Sequence, residues 1–356
     1  MGAAGNASRS EVRGGRWHRG LFPGVWRLVP QQSAWNERRL AAEWAEPTVG
    51  PKPMPLVFHT LDVFTEQRFG GNPLAVVLDA DELDAERMQV IAREFNLSET
   101  VFVQRPANPA HSARIRIFTP AAEVPFAGHP TVGTATLLAE LRAPGPGGDH
   151  DAIIALEENI GLVRVGVRLR RGHAAFAEFD APKLPEESGA TPPIERLAAA
   201  LSLIPSEIRS ANHRPTRFSA GNGFAFVPIA SLDAIAKARV NSQHWGPVIT
   251  AYGLVGAFLY CRETVHTSSS FHARMFAPDM GIPEDPATGS AAVAFAGAIH
   301  RFDAPPDGLH KRIIEQGFEM GRPSLIALSL EIGRSKLMTV RIGGHAVRVT
   351  EGHITV

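Results

Sequence analysis

FAGHPTVGTATLLAEL, at residues 126–141, and EDPATGSAAVAFAGAI, at residues 284–299, decide the fold of this chain. Each stretch places a polar residue and a proline ahead of a run of small residues that is typical of a closely packed helix. Each also lies downstream of an Arg-x-Phe-x-Pro string. The same helix entrance therefore occurs twice, which predicts an internal repeat.

The repeat extends to both sides of these entrances. FTPAAEVPFAGHPTVGTA (118–135) aligns with FAPDMGIPEDPATGSAA (276–292), and GGNPLAVV (70–77) resembles AGNGFAFV (220–227). Offsets of about 150 residues are too long for a solenoid, so the repeated unit is a domain. We expect two mixed α/β units, each wrapping a sheet around a small-residue helix, that meet at a cleft. Ligand sites favour such interfaces.

Within the first unit, local patterns predict three elements. DELDAERMQVIAREFN (81–96) predicts an amphipathic helix that ends at Asn96. TVFVQ (100–104) and ARIRIF (113–118) predict strands.

The character of the sequence changes at Met54. Residues 1–53 show no periodic apolar pattern, whereas MPLVFHTLDVFT, from Met54 onward, is typical of a strand. We expect residues 1–53 to be a disordered extension or a start-site artefact. Residues 54–180 are predicted to form an N-terminal domain, to which C-terminal strands can return, and residues 181–356 a C-terminal domain.

Composition and charge exclude several classes of protein. The formal net charge is zero and the pI is about 7.3, so we expect neither a nucleic-acid nor an anionic-membrane partner. No apolar run approaches the roughly 18 residues of a membrane span. A single cysteine, Cys261, rules out an intramolecular disulfide and fits a cytoplasmic location. The 14 histidines show no metal-binding spacing, so we expect no metal site.

The two helix entrances suggest an anion site. Pro130 and Pro286 are predicted at the first helical position, which would make His129 and Asp285 the N-caps. Free N–H groups at helix starts attract anions, and two such ends at one cleft would hold a carboxylate or an enolate-like charge. The alternative is ordinary capping, worth about 1 kcal/mol and without catalytic meaning.

A candidate base lies in FNLSETVFV (95–103), where Glu99 falls between a helix end and an apolar strand. Burial there would raise the pKa of the Glu99 carboxyl, which suits acid/base chemistry near neutral pH. The alternatives are a surface glutamate at a strand edge and a helix cap through Ser98.

A known family shares these motifs in the same order. GGNPLAVV, NLSETVFV, RIRIFTPAAEVPFAGHPTVGTA, EDPATGSAA and EQGFEMGRPS together resemble the PhzF family of phenazine-biosynthesis isomerases, from about residue 56 to the C-terminus. The resemblance implies an α+β, diaminopimelate-epimerase-like fold of two pseudo-symmetric domains, each a mostly antiparallel sheet around a central helix. It also implies a homodimeric, cofactor-independent isomerase of a small carboxylate. Phenazine-pathway members convert trans-2,3-dihydro-3-hydroxyanthranilate to its keto tautomer.

The resemblance also implies roles for particular residues. Glu99 is similar to the family's acid/base, which removes a ring proton and returns it elsewhere. The residues that resemble the groups holding substrate and assisting proton movement are His129, Asp285 and Ser290. The predicted substrate-binding positions are Gly128, Thr131, Gly133, Gly289 and Asn72. Specificity is expected from side chains around Asn72, Asn222 and Arg274.

Racemases and epimerases of the same superfamily use two thiols, one on each side of the substrate. Here the corresponding positions are Ala127 and either Glu284 or Asp285, and Cys261 lies in neither motif. These residues exclude a two-cysteine racemase. Two alternatives to the isomerase stay open: an epimerase with Glu99 and Asp285 as an opposed pair, and a binding protein without turnover.

Overall fold

The chain divides into two units, Met1–Pro53 and Met54–Val356. The ranges that the computed structural model describes are 18–19, 26–27, 55–143, 148–187 and 189–356. In the first unit, strands β1 (His18–Arg19) and β2 (Trp26–Arg27) pair antiparallel. The rest of the predicted disordered extension lies outside the described residues. The division of the second unit at residue 180 stays a prediction.

The first half of the second unit contains eight strands and two helices. They are β3 (Pro55–Val63), β4 (Asn72–Val77), α1 (Ala85–Phe95), β5 (Glu99–Gln104), β6 (Ala113–Phe118), β7 (Glu123–Val124), α2 (Gly128–Arg142), β8 (His150–Glu158), β9 (Gly161–Leu169) and β10 (Ala175–Asp180). The predicted amphipathic helix is confirmed as α1. Asp84 caps it by accepting the Arg87 N–H, and Asn96 ends it in the left-handed conformation.

The second half repeats this order with additional short helices. Its elements are β11 (Glu186–Glu187), α3 (Ile194–Ala200), β12 (Thr216–Ser219), β13 (Gly223–Pro228), α4 (Leu232–Lys237), α5 (Ser242–Val248), β14 (Gly256–Cys261), β15 (Phe271–Ala277), β16 (Ile282–Asp285), α6 (Gly289–Asp303), β17 (Gly308–Gln316), β18 (Ser324–Gly333) and β19 (Lys336–Thr355). No helix of the described ranges is long and apolar enough to cross a membrane.

Strand pairing shows the repeat directly. In the first half, β4 pairs parallel with β5 and β6 parallel with β8, while β5 and β6 pair antiparallel. In the second half, β13–β14 and β15–β17 are parallel and β14–β15 is antiparallel. The register also repeats, because Ala113 faces Leu156 and Phe271 faces Ile314, each 158 residues later. The predicted pseudo-symmetric, mostly antiparallel fold is confirmed.

The last strand belongs to both halves. β19 pairs antiparallel with β18 near its start, with β10 in its middle and with β3 over its last residues. Through these pairings β3, β4, β5, β6, β8, β9, β10 and β19 close into a ring of strands around α2. The segment Gly128–Ala139 of α2 is buried on all sides, which its alanines, glycines and threonines permit because they let strands approach closely.

The two central helices begin at positions other than those predicted. α2 begins one residue before His129, with Ala127 at its N-cap. Pro130 therefore lies inside the first turn, where its missing N–H still costs nothing. α6 begins at Gly289, and Asp285 ends β16 instead of capping the helix. The prediction that His129 and Asp285 are N-caps is wrong.

Candidate active site

The structure brings the two helix entrances together at one point. A Cβ atom added to Gly128 would lie 2.9 Å from the Cα atom of Gly289, and one added to Gly289 would lie 3.0 Å from the Cα atom of Gly128. Real Cβ atoms essentially never approach as closely as 2.9 Å, so position 128 needs glycine, and a side chain at position 289 would require the neighbouring backbone to shift. α2 and α6 therefore meet start to start, and the free N–H groups of both helices lie in one region.

A small cavity of about 50 Å³ opens beside this contact. It has room for a few water molecules. Its apolar wall includes Val124, Phe126, Phe224, Met275, Met280 and Ile282. Its polar residues are Glu99, Asn222, Asp285, Thr288 and Ser290. Few polar groups among apolar side chains are typical of a small-molecule site.

A larger groove of about 360 Å³ lies elsewhere, on a sheet surface lined in part by Arg168, Lys311 and Arg341. It contains none of the residues of the repeated helix entrances. We therefore place the candidate site at the smaller cavity, where the titratable motif residues converge.

Glu99, the first residue of β5, presents its carboxyl to the cavity. Its side chain is 14% exposed, and its Oε2 atom lies 3.3 Å from His129 Nε2. Oε2 has no hydrogen-bond partner among the described residues. Burial, followed by the charge of Asp285, raises the pKa of Glu99 well above its usual range. A carboxyl in this state can both accept and return a proton near neutral pH.

His129 is buried and neutral. Burial lowers its pKa to about 3. Its Nδ1 atom lies 3.3 Å from the side-chain nitrogen of Asn72. The two hydrogens of this nitrogen go to Asp285 and to the Ala287 carbonyl at 2.9 Å. Because an amide nitrogen does not accept hydrogen bonds, a proton on Nδ1 would face another donor, so we assign the ring proton to Nε2, facing Glu99. His129 is therefore placed to donate a hydrogen bond to Glu99 or to a substrate atom between them.

Asp285 is held by three donors. Its Oδ1 atom accepts hydrogen bonds from Asn72 at 2.9 Å and Ser98 at 3.3 Å, and its Oδ2 atom accepts one from Thr288 at 2.5 Å. Burial raises the pKa of Asp285 to about 6, although these hydrogen bonds oppose the rise. Asn72, fully buried, also donates to the carbonyl of Ala287 at 2.9 Å. It thereby links strand β4 to the loop before α6.

The remaining predicted residues divide between the cavity and the packing around it. Ser290 lines the cavity. Thr131 points away from it, since its hydroxyl contacts the Ala127 carbonyl and Glu158. Gly133 faces β4, where an added Cβ atom would lie 2.6 Å from Leu74. Arg274 is buried in a two-bond ion pair with Glu284, so it is not a free group of the cleft.

Sequence reasoning did not identify several residues of the site. Thr288 and Ser98 bind Asp285, and Gln316 donates to the Asp285 carbonyl at 2.7 Å. Thr288 and Ser98 sit inside the recognised motifs, so their polar side chains were the available signal. Gln316 lies at the end of β17, and its signals were its place in the motif EQGFEMGRPS and its position in the repeat.

The positions that carry thiols in racemases have other roles here. Ala127 lines the cavity, and Glu284 is bound to Arg274. Cys261 is fully buried in β14, and burial raises the pKa of its thiol to about 12. Within the described ranges, no three His, Cys, Asp or Glu side chains group as metal ligands would.

The fold and the site together define the class of this protein. It has an epimerase-like fold, and its buried carboxyl groups lie where two central helices begin. Comparison with known proteins supports this class. The sequence profile of the PhzC-PhzF family, described as phenazine biosynthesis-like protein, matches residues 61–352. The chain therefore belongs to this family, and it is an isomerase of the PhzF type.

The similarity to individual relatives extends over nearly the whole length of each relative. An uncharacterized isomerase of Mesorhizobium japonicum is 53% identical over 82% of this chain and 96% of its own. The trans-2,3-dihydro-3-hydroxyanthranilate isomerase of Pseudomonas aeruginosa is 35% identical over the same shares, 82% and 96%. A solved PhzF-family phenazine biosynthesis protein of Bacillus anthracis covers 85% of this chain and 100% of its own, with a TM-score of 0.76 and 26% identity.

A hydroxyproline epimerase from Agrobacterium vitis shares the fold alone. Its TM-score is 0.59 at 10% identity, over 86% of this chain and 93% of its own. The likeness supports the epimerase-like architecture and carries no information about the reaction.

Proposed function

We propose that this isomerase moves a proton between two carbon atoms of a small carboxylate substrate, with Glu99 as its only acid/base and without a cofactor. The observation that carries the proposal is the Glu99 carboxyl, which faces the cavity with Oε2 unpartnered and 3.3 Å from neutral His129. Burial raises its pKa toward the range in which a carboxyl exchanges protons readily.

The reaction balances within the substrate and Glu99. The ionised carboxylate takes a proton from a substrate carbon, and the electron pair left behind spreads into the conjugated system of the substrate. The carboxylic acid then returns that proton to a second carbon on the same face, which regenerates the carboxylate. The N–H of His129 and the free N–H groups at the starts of α2 and α6 stabilise the negative charge that develops.

Asp285 fits the role of a fixed anion better than that of a second, opposed base. Both of its oxygens already accept hydrogen bonds, from Asn72, Ser98 and Thr288. A base on the opposite face would need a free oxygen directed at the substrate, as Glu99 has. This difference favours a one-base isomerase over a two-base epimerase.

The test uses trans-2,3-dihydro-3-hydroxyanthranilate, the substrate for which the Pseudomonas aeruginosa relative is named. The full chain is incubated with it in deuterated water and followed by NMR, beside Glu99→Gln. We expect the product to form, and Glu99→Gln to lower kcat by about 100-fold or more, because general acid/base catalysis contributes about 100- to 10,000-fold.

Glu94→Gln is the matched control, since Glu94 is exposed on α1. It should leave kcat unchanged. If Glu99→Gln keeps most of the turnover, Glu99 is not the acid/base. If the folded wild-type chain does not convert this compound, its substrate is a different carboxylate or the chain binds without turnover.

A further inference from the structure

Glu158, the last residue of β8, is a buried acid that the proposed reaction does not use. It is 8% exposed. Its Oε1 atom lies 2.8 Å from the hydroxyl of Thr131, in the first turns of α2. Its Oε2 atom is buried and has no hydrogen-bond partner among the described residues. An ionised carboxylate with an unpaired buried oxygen would be costly, so its protonation state needs an explanation.

The contacts of the Thr131 hydroxyl explain the protonation state of Glu158. It lies 2.8 Å from the carbonyl of Ala127 and 2.8 Å from Glu158 Oε1, yet a hydroxyl has a single hydrogen to donate. A carbonyl can only accept, so both contacts can be hydrogen bonds only if the hydroxyl proton goes to Ala127, the usual bond from threonine to the residue four positions earlier. The contact with Glu158 is then a hydrogen bond only if Glu158 carries a proton and donates it.

The internal repeat supports the same conclusion independently. The neighbouring residue Glu157 accepts the backbone N–H groups of residues 107 and 108 at 2.8 and 2.9 Å. Glu315, 158 residues later, accepts those of residues 265 and 266 at 2.5 and 3.1 Å. β8 and β17 therefore correspond residue by residue, and the counterpart of Glu158 is Gln316.

Gln316 shows what this position does in the other half. Its amide nitrogen donates to the Asp285 carbonyl at 2.7 Å and to the Thr288 hydroxyl at 3.1 Å, and its amide oxygen accepts the Thr288 N–H at 3.2 Å. A neutral side chain with one donor end and one acceptor end thus fixes the entrance of α6. A protonated glutamate has the same shape and the same two ends.

We propose that Glu158 is held as a neutral carboxylic acid that donates a hydrogen bond to Thr131, and so positions the first turn of α2 as Gln316 positions the entrance of α6. It is a positioning residue, because it acts on the site through α2. His129 lies two residues before Thr131 on the same turn, so a shift of this turn changes the 3.3 Å approach of His129 to Glu99.

Among the described residues, no charged side chain counters this state. Burial raises the pKa of Glu158 to about 8, and a hydrogen bond that Glu158 donates to Thr131 favours the neutral form further. The elements packed against β8 are α2, β6 and β9. The titratable and charged side chains of these elements are His129, Glu140 and Arg142 of α2, Arg114 and Arg116 of β6, and Arg164 and Arg168 of β9. Among these seven, His129 alone is buried, and it is neutral.

Protonation is tested on the full chain without any substrate, by the infrared difference spectrum of wild type minus Glu158→Gln at pH 7. We expect a protonated-carboxyl band that is present in wild type and lost in the variant. Glu157→Gln is the matched control. Backbone hydrogen bonds lower the pKa of Glu157 to about 2, so this variant should lose only a carboxylate band. Loss of a carboxylate band in Glu158→Gln would overturn the proposal.

Stability against pH gives a second readout. Between pH 4.5, the ordinary value, and about 8, the unfolded chain releases the Glu158 proton while the folded chain keeps it, so wild type loses stability as pH rises. Glu158→Gln lacks this loss. The unfolding constant of wild type relative to the variant should therefore increase up to about tenfold per pH unit across this window. A pH-independent ratio would contradict a neutral Glu158.

The positioning role rests on the proposed function and is measured with trans-2,3-dihydro-3-hydroxyanthranilate. We expect Glu158→Gln to keep kcat at pH 7 and to remain active above pH 8, where wild type declines, whereas Glu158→Leu lowers kcat at every pH. Equal losses in both variants would overturn the positioning role. If wild type does not turn over this compound, the proposed function fails, while the infrared and stability results still decide the state of Glu158.

Discussion

At the scale of single residues, Asp285 shows how hydrogen bonds set the charge of the site. Burial raises the pKa of this carboxyl to about 6, and hydrogen bonds oppose the rise. They come from three donors on three separate segments: Thr288, Asn72 and Ser98, in order of their effect. The negative charge next to Glu99 therefore depends on side chains far apart in sequence.

The order of these donors predicts a graded response. Thr288→Val removes the hydroxyl at 2.5 Å with little change of shape. A hydrogen bond to a charged group contributes about 1.5–3 kcal/mol, so the pKa of Asp285 should rise by about one to two units. A rise means that Asp285 stays protonated to a higher pH, which moves the acidic limb of the rate profile upward. Carbon-13 NMR titration of the Asp285 carboxyl measures the change.

Ser98→Ala provides the comparison, because Ser98 donates to the same carboxyl from 3.3 Å. It should raise the pKa of Asp285 in the same direction by a smaller amount. An equal or larger rise in Ser98→Ala would show that the short contact with Thr288 does not set the charge of Asp285.

The site residues that could be predicted are those whose local sequence forms a recognisable motif. Glu99, His129, Asp285 and Ser290 stand in short motifs with a chemical meaning, and all four lie at or beside the cavity. Thr131 and Gly133 were predicted there as well, but they face Glu158 and Leu74. A helix that is buried all round has no polar face, so its sequence does not show which side meets the cleft.

At the scale of elements, the site depends on the contact between the starts of α2 and α6. Gly128 and Gly289 face each other, with no room for a side chain at Gly128 and only a tight space at Gly289. This contact brings together the N–H groups of both helices and sets the distance between His129 on α2 and Asp285 before α6. A small-residue helix can be recognised from sequence, but its partner cannot.

Substitution at this contact should affect stability and activity together. Gly128→Ala would place a Cβ atom 2.9 Å from the Gly289 Cα atom, so one helix must shift. Overpacking of this kind costs about 1–3 kcal/mol in the free energy of unfolding. Urea unfolding measures that loss, and turnover should fall because the separation of His129 and Asp285 changes.

Gly246→Ala is the matched control for this substitution. Gly246 also lies in a helix, α5, but an added Cβ atom meets no atom within 4 Å. Alanine is favoured over glycine in helices by about 0.5–1 kcal/mol, and Pro247 offsets part of this gain because it crowds the Cβ atom of the residue before it, so the free energy of unfolding of this variant should lie within about 1 kcal/mol of the wild-type value. If Gly128→Ala behaves like Gly246→Ala, the two helix starts are not in fixed contact.

At the scale of the whole molecule, the repeat could be read from sequence because both copies keep the same motifs at nearly constant offsets. The strand pairings that close the ring around α2 could not be predicted in the same way. β19 extends over 20 residues and pairs with three different strands, one of them, β3, nearly the whole unit away. Alternating apolar residues predict a strand but not its partner, since pairing is decided by packing across the sheet.

The shared strand predicts that the first half is unstable without the end of the chain. Residues 347–355 of β19 pair only with β3, so a chain ending at residue 346 opens the ring of strands around α2 and bares an edge of β3. It also exposes apolar side chains such as Leu56, now buried, and each such side chain contributes about 1.5–3 kcal/mol. We expect a large loss of stability in urea and association through the exposed edge, seen by size-exclusion chromatography. A synthetic peptide of residues 347–356 should restore the unfolding midpoint of the full chain by adding the missing strand. A truncated chain that unfolds like the full one would show that the ring does not need β19 to close, and that each half carries its own stability.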